Sequence, residues 1–266
     1  MATINKVNKI QINTNEVTYD IGYKELDKCL NGLKSGSVIT IGSRPAMGKS
    51  TFINNIVLNL LEKYNLPTLY VNLSEVKERC VLRFSTVLSE KTYNELQDNE
   101  DLKTECINGL IDKKYNLYIS DDCYKINELE QLIEENKDIK FLVIDYIQLM
   151  NSNIEFKSKT DEFNDVLNRL RVLANKYGLI VVLLSQISRS VEHRFDNRPL
   201  LADLSSSGNL EYISDVVILL YRDGYYNEKN NTITEVIVSK NRYGACGMIY
   251  LDYNKNKTKL IDYINN

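Results

Sequence analysis

Two runs, Phe141-Leu142-Val143-Ile144 and Ile180-Val181-Val182-Leu183-Leu184, are apolar at consecutive rather than alternating positions. A strand with no polar face must be covered on both sides, which places such runs inside a mainly parallel sheet with helices on both faces. Further short runs, Val38 to Gly42, Thr68 to Leu73, Asn116 to Ser120 and Val216 to Tyr221, alternate with amphipathic stretches, as does the longer segment Leu179 to Ser185. That alternation specifies an α/β fold. Phe163, Val166, Leu167, Leu170, Leu173, Ala174 and Tyr177 recur at helical spacing, which predicts a crossover helix, and Ser158 followed by Asp161 predicts its N-cap. Ile233 to Lys240 and Gly247 to Tyr253 lie between Asn-rich and Gly-containing turns, so an antiparallel extension is expected at the C-terminal side of the sheet.

A chain of 266 residues fits one large α/β domain or two small ones. With 3 prolines and 11 glycines, collagenous and disordered classes fall away. No apolar run approaches the roughly 20 residues of a membrane helix, and the opening segment lacks the apolar stretch of a signal peptide. A soluble, cytoplasmic protein is expected. The 5 cysteines are scattered without a CxxC pair, which argues against a zinc knuckle or a disulfide framework. A net charge of −3 means that any contact with nucleic acid must be local. Residues 1–17 have no convincing apolar face and are expected to form a polar arm or linker, with residues 18–266 forming one domain.

The strongest local signal is Ser43-Arg44-Pro45-Ala46-Met47-Gly48-Lys49-Ser50-Thr51, a loop between the strand ending at Gly42 and a helix expected over Phe52 to Lys63. Strand, Gly-containing loop and helix N-terminus form a P-loop, whose backbone N–H groups surround phosphate oxygens. In such a loop Lys49 neutralises the β and γ phosphates of a nucleotide, and the Ser50 hydroxyl ligates Mg²⁺. The strict pattern opens on Gly where this loop has Ser43. Asp145 closes an apolar strand at the end where open α/β sheets bind ligands, and is expected to hold the Mg²⁺ through water. Gln186 closes the next central strand, where its amide can sense the γ-phosphate or orient a water.

The segments IGSRPAMGKSTF, VIDYIQLM, LLSQISRSVEHR, RPLLADLSSSGNLEYISDVVILLYRD and SKNRYG follow one another in an order that resembles bacterial replicative helicases of the DnaB family. The resemblance runs from about Tyr19 to Tyr253. It implies a RecA-like P-loop NTPase fold and an ATP-driven ring, expected to be hexameric, that encircles one DNA strand and translocates along it. It also implies roles for single residues: Lys49 and Ser50 as phosphate and magnesium ligands, Asp145 as the Walker B acid, Gln186 as the γ-phosphate sensor. Lys240 and Arg242 match the family's basic pair that completes a neighbouring subunit's site.

The chain departs from that pattern in three places. Ser74 stands where the family has the catalytic Glu, and Glu75 lies one residue beyond. In a regular strand a one-residue shift turns a side chain to the opposite face, so Glu75 recovers the role only if the strand has already ended or contains a bulge. The segment resembling the pore loop has Ser205, Ser206, Ser207 and Gly208, with serines where charged residues are usual. Hydroxyls and loop N–H groups still contact phosphates, and Arg189, Arg194 and Arg198 upstream are expected to supply positive charge for DNA. His193 has no Cys or carboxylate neighbours to build a zinc site and is read as a loop residue. The sequence has no counterpart of the family's N-terminal helical domain, which contacts primase, so a phage or mobile-element version, a stand-alone motor completed by a partner, or a fragment of a longer protein is expected, with a primase, loader or other replication protein as candidate partners.

Together these readings describe an ATP hydrolase and DNA helicase that couples Mg²⁺-ATP turnover in a ring to movement on single-stranded DNA. The alternative is an ATP-binding, weakly hydrolysing scaffold or loader subunit of a replication or defence complex, favoured by Ser74, the serine-rich loop and the missing domain. A recombinase or regulatory kinase shares the P-loop but not the later segments.

Overall fold

Both fully apolar runs lie near the middle of a sheet of nine strands, in a computed structural model that describes residues 17–204, 209–226, 232–254 and 258–264. Strand β1 (Thr18–Tyr19) pairs with β2 (Leu33–Lys34) around helix α1 (Lys24–Leu30). The alternating core follows: β3 (Val38–Ser43), α2 (Lys49–Tyr64), β4 (Thr68–Asn72), then helices α3 (Lys77–Ser89), α4 (Tyr93–Gln97) and α5 (Glu100–Asp112). Next come β5 (Leu117–Ser120), α6 (Ile126–Glu135), β6 (Phe141–Asp145), α7 (Lys159–Tyr177) and β7 (Ile180–Gln186). The chain ends with α8 (Asn209–Ile213), β8 (Val216–Tyr221), α9 (Asp223–Tyr226), β9 (Ile233–Asn241), β10 (Gly247–Asn254) and β11 (Lys259–Asp262).

Across the sheet the order is β11-β10-β9-β8-β3-β7-β6-β4-β5. Pairing is parallel from β8 to β5 and antiparallel from β8 to β11. Side chains of the central strands part to two cores, as consecutive apolar residues require. Phe141 and Val143 pack with Phe52, Ile53 and Leu60 of α2, whereas Leu142 and Ile144 pack with Leu129 of α6 and Val166 and Leu170 of α7. The expected crossover helix is α7, and the Ser158 hydroxyl accepts from the Asp161 N–H as its cap. Among the described residues no helix is long and apolar enough to cross a membrane.

Two boundaries beside the cleft differ from the sequence reading for local reasons, and one strand is added. Helix α2 starts at Lys49 rather than Phe52, because Gly48 takes a left-handed φ of 89° and turns the loop directly into the helix. Strand β4 stops at Asn72 rather than Leu73, because the Asn72 side-chain oxygen accepts from Ser74 N–H, the Ser74 hydroxyl and Glu75 N–H, curling the chain out of the strand. Strand β11 has no counterpart in the sequence reading; Leu260 is its one buried residue, too little alternation to stand out. The polar arm expected over residues 1–17 lies, except for Val17, outside the described residues.

Candidate active site: a cleft at one end of the sheet

The C-terminal ends of β3, β6 and β7 lie side by side and open on a cleft of about 420 Å³. Ser43, Arg44, Pro45, Ala46, Gly48, Lys49, Ser50, Thr51, Asp145 and Gln186 line it. Met47 is the exception in the loop: its side chain is buried, only 2% exposed, and does not line the cleft. A Cβ at Gly42, beneath the loop, would come within 2.9 Å of methyl carbons of Leu204 and Leu219, so those side chains would have to shift to admit one. The Lys49 ammonium donates to the Ser185 carbonyl at 3.2 Å, and burial lowers its pKa while the Asp145 charge opposes the shift. The Ser50 hydroxyl donates to Asp145 Oδ2 at 3.0 Å, and the Tyr70 hydroxyl donates to the same oxygen at 3.2 Å. Arg44 pairs with Glu192 at 2.8 Å and donates to the Ile187 carbonyl, tying the loop to the single turn Arg189–His193.

Burial raises the Asp145 pKa above the ordinary carboxylate value, with Lys49, Ser50 and Tyr70 pulling it down in part. In the window between the unfolded value, about 3.9, and the raised folded value, the folded state binds more protons, so stability falls as pH rises. Without metal or nucleotide, Asp145→Asn is therefore expected to gain thermal stability relative to the parent on going from acid to neutral pH. A melting-temperature difference that is the same at every pH contradicts this cause.

The end of β4 decides the geometry of Glu75. Asn72 is the register partner of Asp145, and beyond it the chain leaves the strand, so the two-face rule no longer applies to Glu75. Arg83 of α3 grips the Glu75 carboxylate with two hydrogen bonds, 2.6 and 3.1 Å. Ser74 and Arg83 line the cleft and Glu75 does not, but its charge is near enough to raise the Asp145 pKa.

Lys240 and Arg242 lie at the opposite end of the sheet. Asn241 pairs with Val216, and Val216 with Ile39, at the N-terminal end of β3. The basic pair is thus about 13 Å along β3 from the loop that follows Ser43, and it does not line the subunit's own cleft. Lys240 donates to the Glu211 carbonyl at 2.6 Å, and Arg242 pairs with Asp215 at 2.9 Å while its side chain stays half exposed.

The three arginines expected to supply positive charge differ. Arg198 forms a bidentate pair with Glu235, both bonds 2.7 Å, and lies over the Tyr221 ring. Arg194 pairs with the buried Asp203 at 2.6 Å. Both guanidiniums therefore hold a loop together, and Arg189 alone of the three is exposed. Ser205, Ser206, Ser207 and Gly208 lie outside the described residues.

Sequence reasoning missed Tyr70, Arg83, Tyr146, Arg222 and Tyr253. Arg222 and Tyr253 meet on the rim of the cleft, the guanidinium 4.6 Å from the ring centre, and the Arg222 Nε is buried without a partner among the described residues. The strand-end arginine within LLYRD is a signal that could have found Arg222; Tyr253 reaches the cleft only because β10 folds back beside β9.

Comparison with known proteins agrees with this geometry. Residues 19–262 match the family model described as the DnaB-like helicase C terminal domain. A probable replicative DNA helicase of Trieres chinensis is 34% identical over 91% of this chain and 57% of its own length. The replicative DNA helicase DnaB of Buchnera aphidicola subsp. Acyrthosiphon pisum is 32% identical over 91% of the chain and 55% of its own length. The chain thus spans little more than half of these relatives. Among solved structures, one described as an ATPase domain superposes with a TM-score of 0.85 at 27% identity, covering 95% of this chain and 94% of that one. A DnaB-like replicative helicase described with its primase interactions superposes with a TM-score of 0.86 at 26% identity, over 95% of this chain and 64% of that one.

Proposed function

The chain belongs to the DnaB-like helicase C-terminal domain family, and from that premise we propose that it is a ring-forming motor that hydrolyses ATP, moves along single-stranded DNA and unwinds duplex DNA during replication. One observation carries the reading: Lys49, Ser50 and Asp145 converge at one end of the sheet, while Lys240 and Arg242 stand at the other. A single subunit holds halves of two different sites, and head-to-tail packing in a closed ring, hexameric in this reading, brings them together.

In each site the P-loop amides and Lys49 bind the ATP phosphates, and Gln186 faces the terminal one. Ser50 and Asp145, an oxygen pair 3.0 Å apart, fit a magnesium ion, which when bound neutralises phosphate charge. The cation and ring of Arg222 and Tyr253 face the base. Lys240 and Arg242 of the adjacent subunit stabilise charge on the transferring phosphoryl group. Glu75, freed from the strand and aimed by Arg83, accepts the proton of the attacking water. Glu75→Gln is expected to slow DNA-stimulated turnover by about 10²–10⁴-fold with ATP binding retained; turnover equal to the parent's rules the assignment out.

DNA binds in the central channel through Arg189 and residues 205–208, where a ring concentrates charge that an acidic monomer lacks. Arg189→Ala is expected to weaken single-stranded DNA binding and to reduce the slope of log affinity against log salt by about 1. An unchanged slope excludes a phosphate contact. The motor works in the cytoplasm as one domain over residues 18–266, with a primase or loader as partner. The second reading, a weakly hydrolysing scaffold or loader, is favoured by Ser74 on the cleft wall where a base would stand and by the ion pair that occupies Glu75. Strand displacement on a forked substrate separates the two: DNA-stimulated hydrolysis without displacement, even with candidate partners added, replaces the motor by the scaffold.

A further inference from the structure

Asp215, between α8 and β8, is 3% exposed, and groups from three other elements converge on its carboxylate. Oδ2 accepts from Arg171 of α7 at 2.8 Å and from the Val38 N–H at the start of β3 at 2.9 Å. Oδ1 accepts from Arg242 at 2.9 Å, and the backbone adds bonds from Arg242 N–H to the Asp215 carbonyl and from Asp215 N–H to the Val38 carbonyl. Arg171 also donates to the carbonyls of Ile213 and Gly36. The last carbonyls of α8 are held from the same side: Lys240 donates to Glu211 and Tyr212, and Arg242 to Tyr212. One residue before Asp215, the Ser214 hydroxyl bonds to the Leu210 carbonyl and to the Thr40 hydroxyl on β3.

Three elements thereby become one hydrogen-bonded unit. Strand β3 carries the P-loop at its far end, α8 starts directly after residues 205–208, and the end of β9 presents the basic pair. A guanidinium aims well only when its fork is gripped, and the half-exposed Arg242 is gripped by Asp215 and α8 alone among the described residues. We infer that Asp215 is a positioning residue for the trans-acting pair, through which β3 and α8 set the direction of Arg242. A shift of α8, or of β3 on nucleotide binding in the subunit's own cleft, then reaches the residue that completes the neighbour's site. Contiguous bonded elements of this kind carry coupling between sites, and double-mutant cycles test it.

The inference rests on the proposed role of Arg242, so the test separates the two. DNA-stimulated kcat and the KM for ATP are measured for Asp215→Asn, Arg242→Ala, the double variant and Arg171→Lys. A misaimed group costs roughly ten- to a hundredfold in kcat, and Asp215→Asn is expected to lose that much with KM near the parent's. The double variant is expected to be no slower than Arg242→Ala, since Asp215 then has nothing to aim. Arg171→Lys, a milder change at the same carboxylate, gives the same pattern in smaller degree and serves if Asp215→Asn does not fold. Parent-like kcat in Asp215→Asn beside an inactive Arg242→Ala overturns this inference alone, as does a full additive loss in the double variant. Parent-like kcat in Arg242→Ala overturns the trans-acting role and the inference together.

Discussion

Lys49→Ala is expected to lower ATP turnover by about 10³-fold, the scale on which loss of one preorganised charge donor acts in a partly dry site. The ammonium is held by the Ser185 carbonyl at the end of β7 and drawn by the Asp145 charge, so it enters the cleft from a fixed direction. Its pKa is lowered by burial, and phosphate oxygens arriving beside it recover the interaction that desolvation removed. Because the Lys49 ammonium makes a single hydrogen bond among the described residues, its truncation is expected to leave the fold and the melting temperature near the parent's, which circular dichroism checks. Lys49→Arg is expected not to restore turnover, because a planar guanidinium does not replace a compact ammonium beneath the loop.

With the proposed trans role, Arg242→Ala is expected to act on a different site and to leave a different signature. An arginine supplied in trans to a transferring phosphoryl group contributes about 10³–10⁵-fold. The expected result is a fall of about 10³-fold in turnover by the assembled protein, with nucleotide affinity of the subunit's own cleft near the parent's. The separation of the two ends of the sheet gives this asymmetry: Asn241 stands level with Ile39, whereas the P-loop follows Ser43. Asp215 keeps Arg171 and the Val38 N–H as partners when Arg242 is truncated, so the buried carboxylate is not left bare. Arg242→Lys recovers part of the rate at most, since it keeps the charge and loses the fork. Equilibrium nucleotide binding and steady-state turnover, measured on the same preparations, distinguish loss of transition-state charge from loss of binding.

How much of this could be read in advance depends on whether the information is local. The central strands were legible because burial on both faces leaves consecutive apolar residues, and the P-loop because its spacing is confined to nine positions. Glu75 was not, because its direction turns on where β4 ends, and that is set by three hydrogen bonds to the Asn72 side chain. Arg194 and Arg198 read as free positive charge; their acidic partners, Asp203 and Glu235, are nine and 37 residues away and become neighbours only through the fold. Tyr70, Arg171, Asp215 and Tyr253 carry no local mark of a role. Each is placed by contacts between elements distant in the chain, which the sheet order alone brings together.

In the proposed ring each catalytic site is built from the P-loop of one subunit and Arg242 of the next. Mixing separately inactive Lys49→Ala and Arg242→Ala proteins, dissociating and reassembling them, and measuring DNA-stimulated ATP hydrolysis tests it most directly. Random assortment in equal amounts gives about a quarter of the interfaces an intact P-loop facing an intact arginine, so hydrolysis returns well above that of either protein alone. If the mixture hydrolyses no faster than its components, although labelled subunits are shown to have exchanged, the two halves do not meet across an interface and the account is contradicted.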